Sequence, residues 1–495
     1  AAGGTAFSTT VNTLISWTQE IDTSHTITNG SNERTTSGEM YQVSSAVDQV
    51  GIPGYNYASA NDLSTLHNIF GCIIASETAS AINSRSMYKT DLHGHSNAST
   101  YASQYGYHLT SYDTSAVSWG KTAQASMWDT IRFDYVAGQF VWTGFDYIGE
   151  PTPWNGTTSG DYGRGCVPNS SYFGIVETTG FPKDSYYLYR SQWNQDKTSP
   201  TLHLVTAWDS ANMMSAAGKT PVVIYSNAPK VELYRTVGNT TTKLATATRT
   251  VNTTNAGHKY YTYSTATENS SLCTAVNGTD AASQYSKFMV SFSNGTIFAK
   301  AYDGNTEITE QCIGTKSITT PGSVSKLSAS SDKSEIYADG SSLSYITVDV
   351  TDADGNLKTT ADNTIRFSLT GNGEILGVDN GDQATRDKYQ QSSVLFGSTS
   401  ASIKAYGGKA LVIVRSTKES GSFTVTAESS GLTSSSVTVK TKTVTDASSN
   451  QLESYTLKRH CYVPVGTPDI TEALPKTISA VYTDGTKKTF DASWN

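Results

Sequence analysis

Charged side chains are scarce in this 495-residue chain. Lys and Arg number 35 and Asp and Glu 43, together 16% of the residues, where soluble domains average about 25%. The net charge is −8. An acidic chain so short of Lys and Arg cannot neutralise many phosphates, which argues against nucleic acid as a partner. Long hydrophobic runs are missing as well. None approaches the ~18–20 residues of a bilayer-spanning helix, which excludes a helical membrane span. Ala1-Ala2-Gly3-Gly4-Thr5 carries neither a basic nor an apolar region and is not expected to belong to a targeting signal. Cysteine is rare: Cys72, Cys166, Cys273, Cys312 and Cys461 make no disulfide framework in so long a chain. None stands in a C-x-x-C pair, which argues against a zinc ribbon or a thiol redox site. Cys273 and Cys312 fall in one domain, either as a disulfide or as two buried thiols.

Aromatic residues, by contrast, are plentiful. Eight Trp, 29 Tyr and 14 Phe are enough to build hydrophobic cores, which excludes a disordered chain. Tyr, Thr, Ser, Asn and Gly replace charge on a neutral, hydrogen-bonding surface, a composition common in exported proteins that handle sugars. At about 100–200 residues per domain, the length suggests three or four domains.

The first 200 residues alternate helix-like and strand-like segments. Phe7, Val11, Leu14, Ile15 and Trp17 mark one helical face within 6–21. A short strand is expected at 25–29, a helix at 39–50 and a strand at 50–57. Residues 70–76 are nearly all apolar, as buried parallel strands are. A helix holding Trp119, Met127, Trp128 and Ile131, a strand at 139–146 and a helix at 184–193 follow. Strands separated by helices imply parallel βα units in a barrel or a doubly wound sheet. After Ser199-Pro200 the pattern changes to short strands at 202–208, 221–226, 230–235, 260–264, 288–292 and 297–302. Past Pro321-Gly322 a second series recurs at 345–350, 364–369, 410–414 and 422–427. Strands of this length with Asp-Gly and Asn-Gly turns point to β-sandwiches. Ser448-Ser449-Asn450 reads as a linker, and the residues after it are too few for a closed sandwich.

Glu77 directly follows the apolar strand, and a carboxylate at the C-terminal end of a barrel strand lies where βα loops build active sites. An acid at a helix N-terminus is the other reading of the same residue. Tyr57 ends the preceding strand, while Trp142 and Asp146 end the following one. Three neighbouring strand ends thus offer a carboxylate, a phenol to hold it and an aromatic face for a sugar ring. Asn32-Glu33 reads as a solvated loop. His93-Gly-His95 lacks further ligand spacing, and Asp352-Ala-Asp354-Gly355 reads first as a hairpin turn and secondarily as a calcium loop.

Gly54-Tyr-Asn-Tyr57, Ile73-Ile-Ala-Ser-Glu77-Thr-Ala-Ser and the run from Gly138-Gln-Phe-Val-Trp142 to Pro153-Trp154 resemble family 2 glycoside hydrolases. Ser171-Tyr-Phe-Gly-Ile-Val-Glu-Thr-Thr-Gly-Phe-Pro-Lys-Asp184 continues the likeness, whose nearest form is the large secreted β-galactosidases of Gram-positive bacteria. The resemblance implies the C-terminal half of a catalytic (β/α)8 TIM barrel over 1–200, followed by immunoglobulin-like β-sandwich domains. These are a β-sandwich over 201–320, a bacterial immunoglobulin-like domain over 321–445 and a truncated module of that type over 446–495. It implies a retaining β-galactosidase acting on lactose-like β-galactosides, with water or another sugar resolving a glycosyl-enzyme, so that transglycosylation is open to it. Glu77 would be the nucleophile and Tyr57 its hydrogen-bond partner. Trp142 would floor the galactose subsite, and Asp146, Glu150 and Trp154 would contact sugar hydroxyls.

In that family the acid/base Glu closes the fourth barrel strand, just before a helix like 6–21. It is therefore expected upstream of Ala1, in a complementary N-terminal chain or segment. Two positions depart from the family pattern, Ser80 in place of a sugar-binding His and Phe173 in place of an Asn. Both bear on how the sugar is read and on whether the metal used by some relatives is kept; the sequence requires no cofactor, and a structural metal ion is compatible with it. A secreted or cell-wall location is expected. The rival readings are a relative cleaving another β-glycoside, such as a β-glucuronide, and a non-catalytic carbohydrate-binding surface protein.

Overall fold

The computed structural model describes residues 4–154, 168, 170–194, 199–215, 218–309, 312–391, 397–443, 452–456, 476–482 and 485–492. Cys166, Cys461 and the linker at 448–450 lie outside these residues, as does most of 446–495.

Helices α1 (Gly4–Ile21) and α2 (Glu39–Asp48) precede strand β1 (Gly54–Asn56). Then come α3 (Ala60–Phe70), β2 (Ile73–Ala79), α4 (Ala98–Tyr105), α5 (Ala123–Ile131), β3 (Val136–Trp142) and α6 (Asp184–Trp193). The three strands pair in parallel in the order β1-β2-β3. Helix α3 starts where Ser59 and Asp62 form a reciprocal capping box, with Ser59 N–H donating to the Asp62 carboxylate at 2.8 Å. Leu63 and Leu66 on its inner face are fully buried against Tyr55, Ile73, Ala75 and Val136. Each such aliphatic side chain contributes about 1.5–3 kcal/mol by leaving water. Gly71 at φ +76° ends the helix, a conformation that disfavours side chains, and lets β2 begin two residues later.

The strand expected at 25–29 is reduced to two isolated parallel bridges, Ile27 with Gly51 and Ser31 with Tyr55. Ser31 N–H donates to Gly54 O at 3.0 Å and Asn56 N–H to Ser31 O at 2.8 Å, so this segment runs alongside the free edge of β1. The strand expected at 139–146 lies three residues earlier and stops at Trp142. Beyond it, residues 143–146 leave β2 and bond to 173–176 instead.

Two antiparallel sheets follow. One holds Leu202–Val205, Lys219–Ser226, Ser286–Ser291 and Cys273–Val276. The other is built on Lys230–Val237, Thr240–Thr253, Lys259–Thr267 and Thr296–Asp303. Their inner faces enclose Trp208, Leu233, Phe288 and Ile297. Cys273 and Cys312 lie in this core as free, buried thiols. A second pair of sheets packs Ile346, Val348, Phe367, Val412, Phe423 and Val425 between them. Alternating inward apolar positions along Leu343–Thr351 and Thr364–Gly371 produce this two-layer packing. Leu452–Thr456, Thr477–Tyr482 and Lys487–Asp491 form a three-stranded antiparallel sheet.

Neither sandwich is a loose appendage. Tyr88, Tyr112, Met127 and Leu188 share one core with Val205, Val223 and Tyr225 of the first. The second sends Asn380, Gln383 and Tyr406 into the parallel part of the molecule. Among the described residues, no helix is long and apolar enough to cross a membrane.

Candidate active site

The C-terminal ends of β1, β2 and β3 gather the expected chemistry. Register slips at Tyr55/Asn56 and between Ala75 and Thr78 break the regular alternation beside Glu77. Such bulges re-aim a side chain at a sheet edge. Ile73 and Ala75 stay buried, whereas Glu77 is half-buried. Tyr57, at φ +52°, donates its N–H to Glu77 O at 2.7 Å, which brings its phenol near the Glu77 carboxylate. Ser80 Oγ donates to the Tyr57 phenol oxygen at 3.0 Å. Burial, and then the neighbouring Glu77 and Glu150 carboxylates, raise the Tyr57 pKa against the opposing effect of Ser80. The phenol therefore stays protonated, with a proton to donate.

Trp142 closes β3 half-buried, edge-on to Tyr147 with ring centres 6.0 Å apart. Tyr147 in turn hydrogen-bonds Glu150, and burial followed by that carboxylate raises its pKa. Tyr57 and Tyr147 each sense the other's neighbourhood electrostatically. Glu77, Tyr57, Trp142 and Glu150 thus stand in one cluster, together with Tyr147. Sequence reasoning missed Tyr147, although it lies inside the run from Gly138 to Trp154; its signal was its place between Trp142 and Glu150.

Asp146 and Trp154 do not join the cluster. The Asp146 carboxylate faces inward, paired with Lys183 at 2.7 Å, each side chain 1% exposed. It also accepts from Gly174 N–H at 2.8 Å and from the Gln383 amide at 3.0 Å. Its position after a site strand suggested a sugar contact, but all these partners come from other parts of the chain. Burial raises its pKa, opposed chiefly by the Lys183 charge. Trp154 is buried too, its indole N–H donating to Ala98 O at 3.2 Å and its ring packed on Tyr107 and Tyr172. Its ring forms part of a hydrophobic cluster with Tyr101, Leu109 and Phe173.

The remaining candidates have structural surroundings. Glu33 is exposed, and Asn32 accepts from the Asn56 amide at 3.0 Å. His93 packs edge-on to His95 and meets the Ala116 N–H at 3.4 Å. Asp352 accepts backbone N–H groups from Gly322, Asp354 and Asn356 at 2.8–3.0 Å, which makes it the organiser of a turn. Among the described residues, no three His, Cys, Asp or Glu side chains gather as metal ligands.

Residues 327–438 match the family model for the glycoside hydrolase family 2 C-terminal domain 5, and 217–309 match a domain of unknown function (DUF4982). The chain is 30% identical over 431 residues to Beta-galactosidase BoGH2A of Bacteroides ovatus, covering 85% of this chain and 42% of that protein. It is 25% identical over 299 residues to a putative beta-glucuronidase of Formosa agariphila, covering 60% of this chain and 24% of that protein. The chain therefore spans less than half the length of either curated relative. A solved beta-glycosidase from Bacteroides vulgatus shares the fold at a TM-score of 0.62 and 22% identity, over 87% of this chain and 48% of that one. With the matched domain, the extended identity to a curated relative and the shared fold taken together, the chain belongs to the family 2 glycoside hydrolases and corresponds to their C-terminal part.

Proposed function

We propose that the chain carries the nucleophile half of a retaining β-galactosidase site, with Glu77 as the nucleophile. The observation that carries this reading is the joint placement of Glu77, Tyr57 and Trp142 at adjacent ends of parallel strands. Glu77 Oε attacks the anomeric carbon, the glycosidic bond breaks, and a covalent galactosyl-enzyme forms. The leaving oxygen takes its proton from a second carboxylic acid about 5–5.5 Å away, which then activates the incoming water or sugar hydroxyl. That acid/base Glu is supplied by a complementary N-terminal segment, which completes the (β/α)8 barrel of which β1, β2 and β3 are part. Tyr57 orients Glu77, and Trp142 stacks on the apolar face of the galactose ring. Glu150, held by Tyr147, is the polar contact for sugar hydroxyls.

A β-glucuronide is the rival substrate, and the putative beta-glucuronidase relative gives it a basis. A glucuronate carboxylate needs a cation. Two nearby cations are already engaged: Arg85 with Glu177 at 2.9 Å and Lys183 with Asp146 at 2.7 Å. Both pairs are buried, which favours a neutral sugar. We assign the 321–445 sandwich and its neighbours to the enzyme rather than to a separate carbohydrate-binding protein, and place the enzyme outside the cell.

The complete enzyme, assayed on matched aryl β-galactoside and β-glucuronide, is expected to prefer the galactoside. Glu77→Gln should lower kcat by several orders of magnitude while leaving the fold intact. A fluoro-sugar should trap on Glu77. An adduct on another residue, or preference for the glucuronide, overturns this reading.

A further inference from the structure

We propose that Gln383, on the second sandwich, is a positioning residue for the glycosidase site; this rests on the function proposed above. Its side chain is buried at the junction of two segments that come from different site strands. Asn83 and Ser84 follow the strand of Glu77, and Asp146 follows the strand of Trp142. The Gln383 amide donates from Nε2 to Asn83 O and to Asp146 Oδ2, each at 3.0 Å, and its Oε1 accepts from Ser84 Oγ at 2.9 Å. One side chain thus ties the Glu77 loop to the Trp142 loop.

Its partners carry the constraint onward. Asp146 Oδ1 accepts from Gly174 N–H, while Thr143 N–H donates to Phe173 O and Asp146 N–H to Val176 O. These bonds fix the turn that immediately follows Trp142. Lys183, paired with Asp146, also donates to Asn83 O at 2.9 Å, so the cation braces the same two segments. Gln383 itself is held from behind. Arg85 donates to the carbonyls of Asn380 and Tyr406 at 3.1 and 2.9 Å, and His108 bonds Asp382 at 2.8 Å. An amide suits this position because it donates and accepts at once, and its neutrality adds no third charge beside Asp146 and Lys183. The second sandwich is therefore part of the catalytic unit, not a spacer.

Three variants of the complete enzyme test this. Gln383→Met keeps the volume and removes all three bonds. Ser84→Ala removes one of them, along with the bond Ser84 Oγ accepts from Leu109 N–H at 3.0 Å. Thr178→Val cuts a different contact between the same parts, Thr178 to Asp379 at 2.6 Å, without touching Asn83 or Asp146. Loosening a site by an ångström costs up to about 100-fold in rate. Gln383→Met is expected to lower kcat roughly 10- to 100-fold with KM changed less than about threefold, Ser84→Ala to lower it several-fold, and Thr178→Val to leave kcat within about twofold. Thermal melts and limited proteolysis report whether the sandwich stays docked. The proposal is overturned if Ser84→Ala and docked Gln383→Met both keep wild-type kcat. It is equally overturned if Thr178→Val loses as much kcat as Gln383→Met, since the effect would then be docking alone. A wild-type enzyme inactive on every β-glycoside would instead overturn the function on which it rests.

Discussion

Tyr57 donates its backbone N–H to the Glu77 carbonyl at 2.7 Å, and its phenol stands near enough to the Glu77 carboxylate for that group to help raise its pKa. The backbone bond fixes the strand end and sets the phenol beside the reacting group. A hydrogen bond to a charged group is worth about 1.5–3 kcal/mol. Tyr57→Phe removes the phenol beside Glu77, together with the bond it accepts from Ser80 Oγ, and is expected to lower kcat on β-galactosides roughly 10- to 100-fold, with little change in thermal stability. Because burial and two carboxylates raise the Tyr57 pKa, wild-type activity should show no alkaline loss from this phenol in the ordinary tyrosine range. Steady-state rates across pH, for wild type and variant, measure both effects.

Trp142→Ala should weaken galactoside binding and turnover together. A sugar stacks its C–H face on an indole, and an aromatic side chain contributes about 1.5–3 kcal/mol when covered. The expected loss in kcat/KM is about 10- to 100-fold, and Trp142→Phe should recover part of it. Kinetics on one galactoside for the three proteins give the answer, and a loss confined to stability would remove Trp142 from the sugar site.

How far these residues were visible in the sequence depended on the range of their interactions. Helix α6 was legible to its ends because the acidic Asp184 in its first turn and the basic Arg190 in its last are local signals. Thr240–Thr253, a 14-residue strand, was not, since its run of Thr and Ala gives little apolar contrast to read. Glu77, Tyr57 and Trp142 stood out because each lies at or beside the C-terminal end of its own strand. Asp146 stood in an equivalent place, yet its amide partner lies 237 residues away, and no local pattern announces such a contact. Position on a strand can be read from a sequence; the direction a polar side chain takes is decided by whatever distant group desolvates it.

The buried pair of Arg85 and Glu177 predicts a pH dependence. Burial pushes the Glu177 carboxyl up to about 7, with Arg85 the strongest opposing influence. An unfolded chain gives Glu up near its ordinary value, about 4.3, so between these pH values the folded state holds the extra proton. This group's contribution is present in full below about 4.3 and falls away as pH rises toward 7. Glu177→Gln should therefore flatten the decline in stability over that window. Urea unfolding at pH steps from 4.5 to 7.5 measures it, and an unchanged slope in the variant would assign the titration elsewhere.

The 495-residue chain should not hydrolyse β-galactosides by itself. Among the described residues, the strand order places β3 at the edge of its sheet, and Phe140 on it is 63% exposed. Leu14 and Trp17 on α1 are also exposed, at 54% and 58%. An uncovered parallel edge with apolar neighbours is a template for aggregation, whereas a (β/α)8 barrel closes on itself with eight strands. A companion N-terminal segment that supplies the remaining strands would cover this edge and bring the acid/base Glu to Glu77. Refolded alone, the chain is expected to self-associate and to lack activity. Joined with that segment, whether as one polypeptide or as two held noncovalently, it should run as a single particle on native sizing and turn over β-galactosides. If the chain alone is monodisperse and active, the edge is not a closure surface, and the general acid must be sought among its own carboxylates, beginning with Glu150.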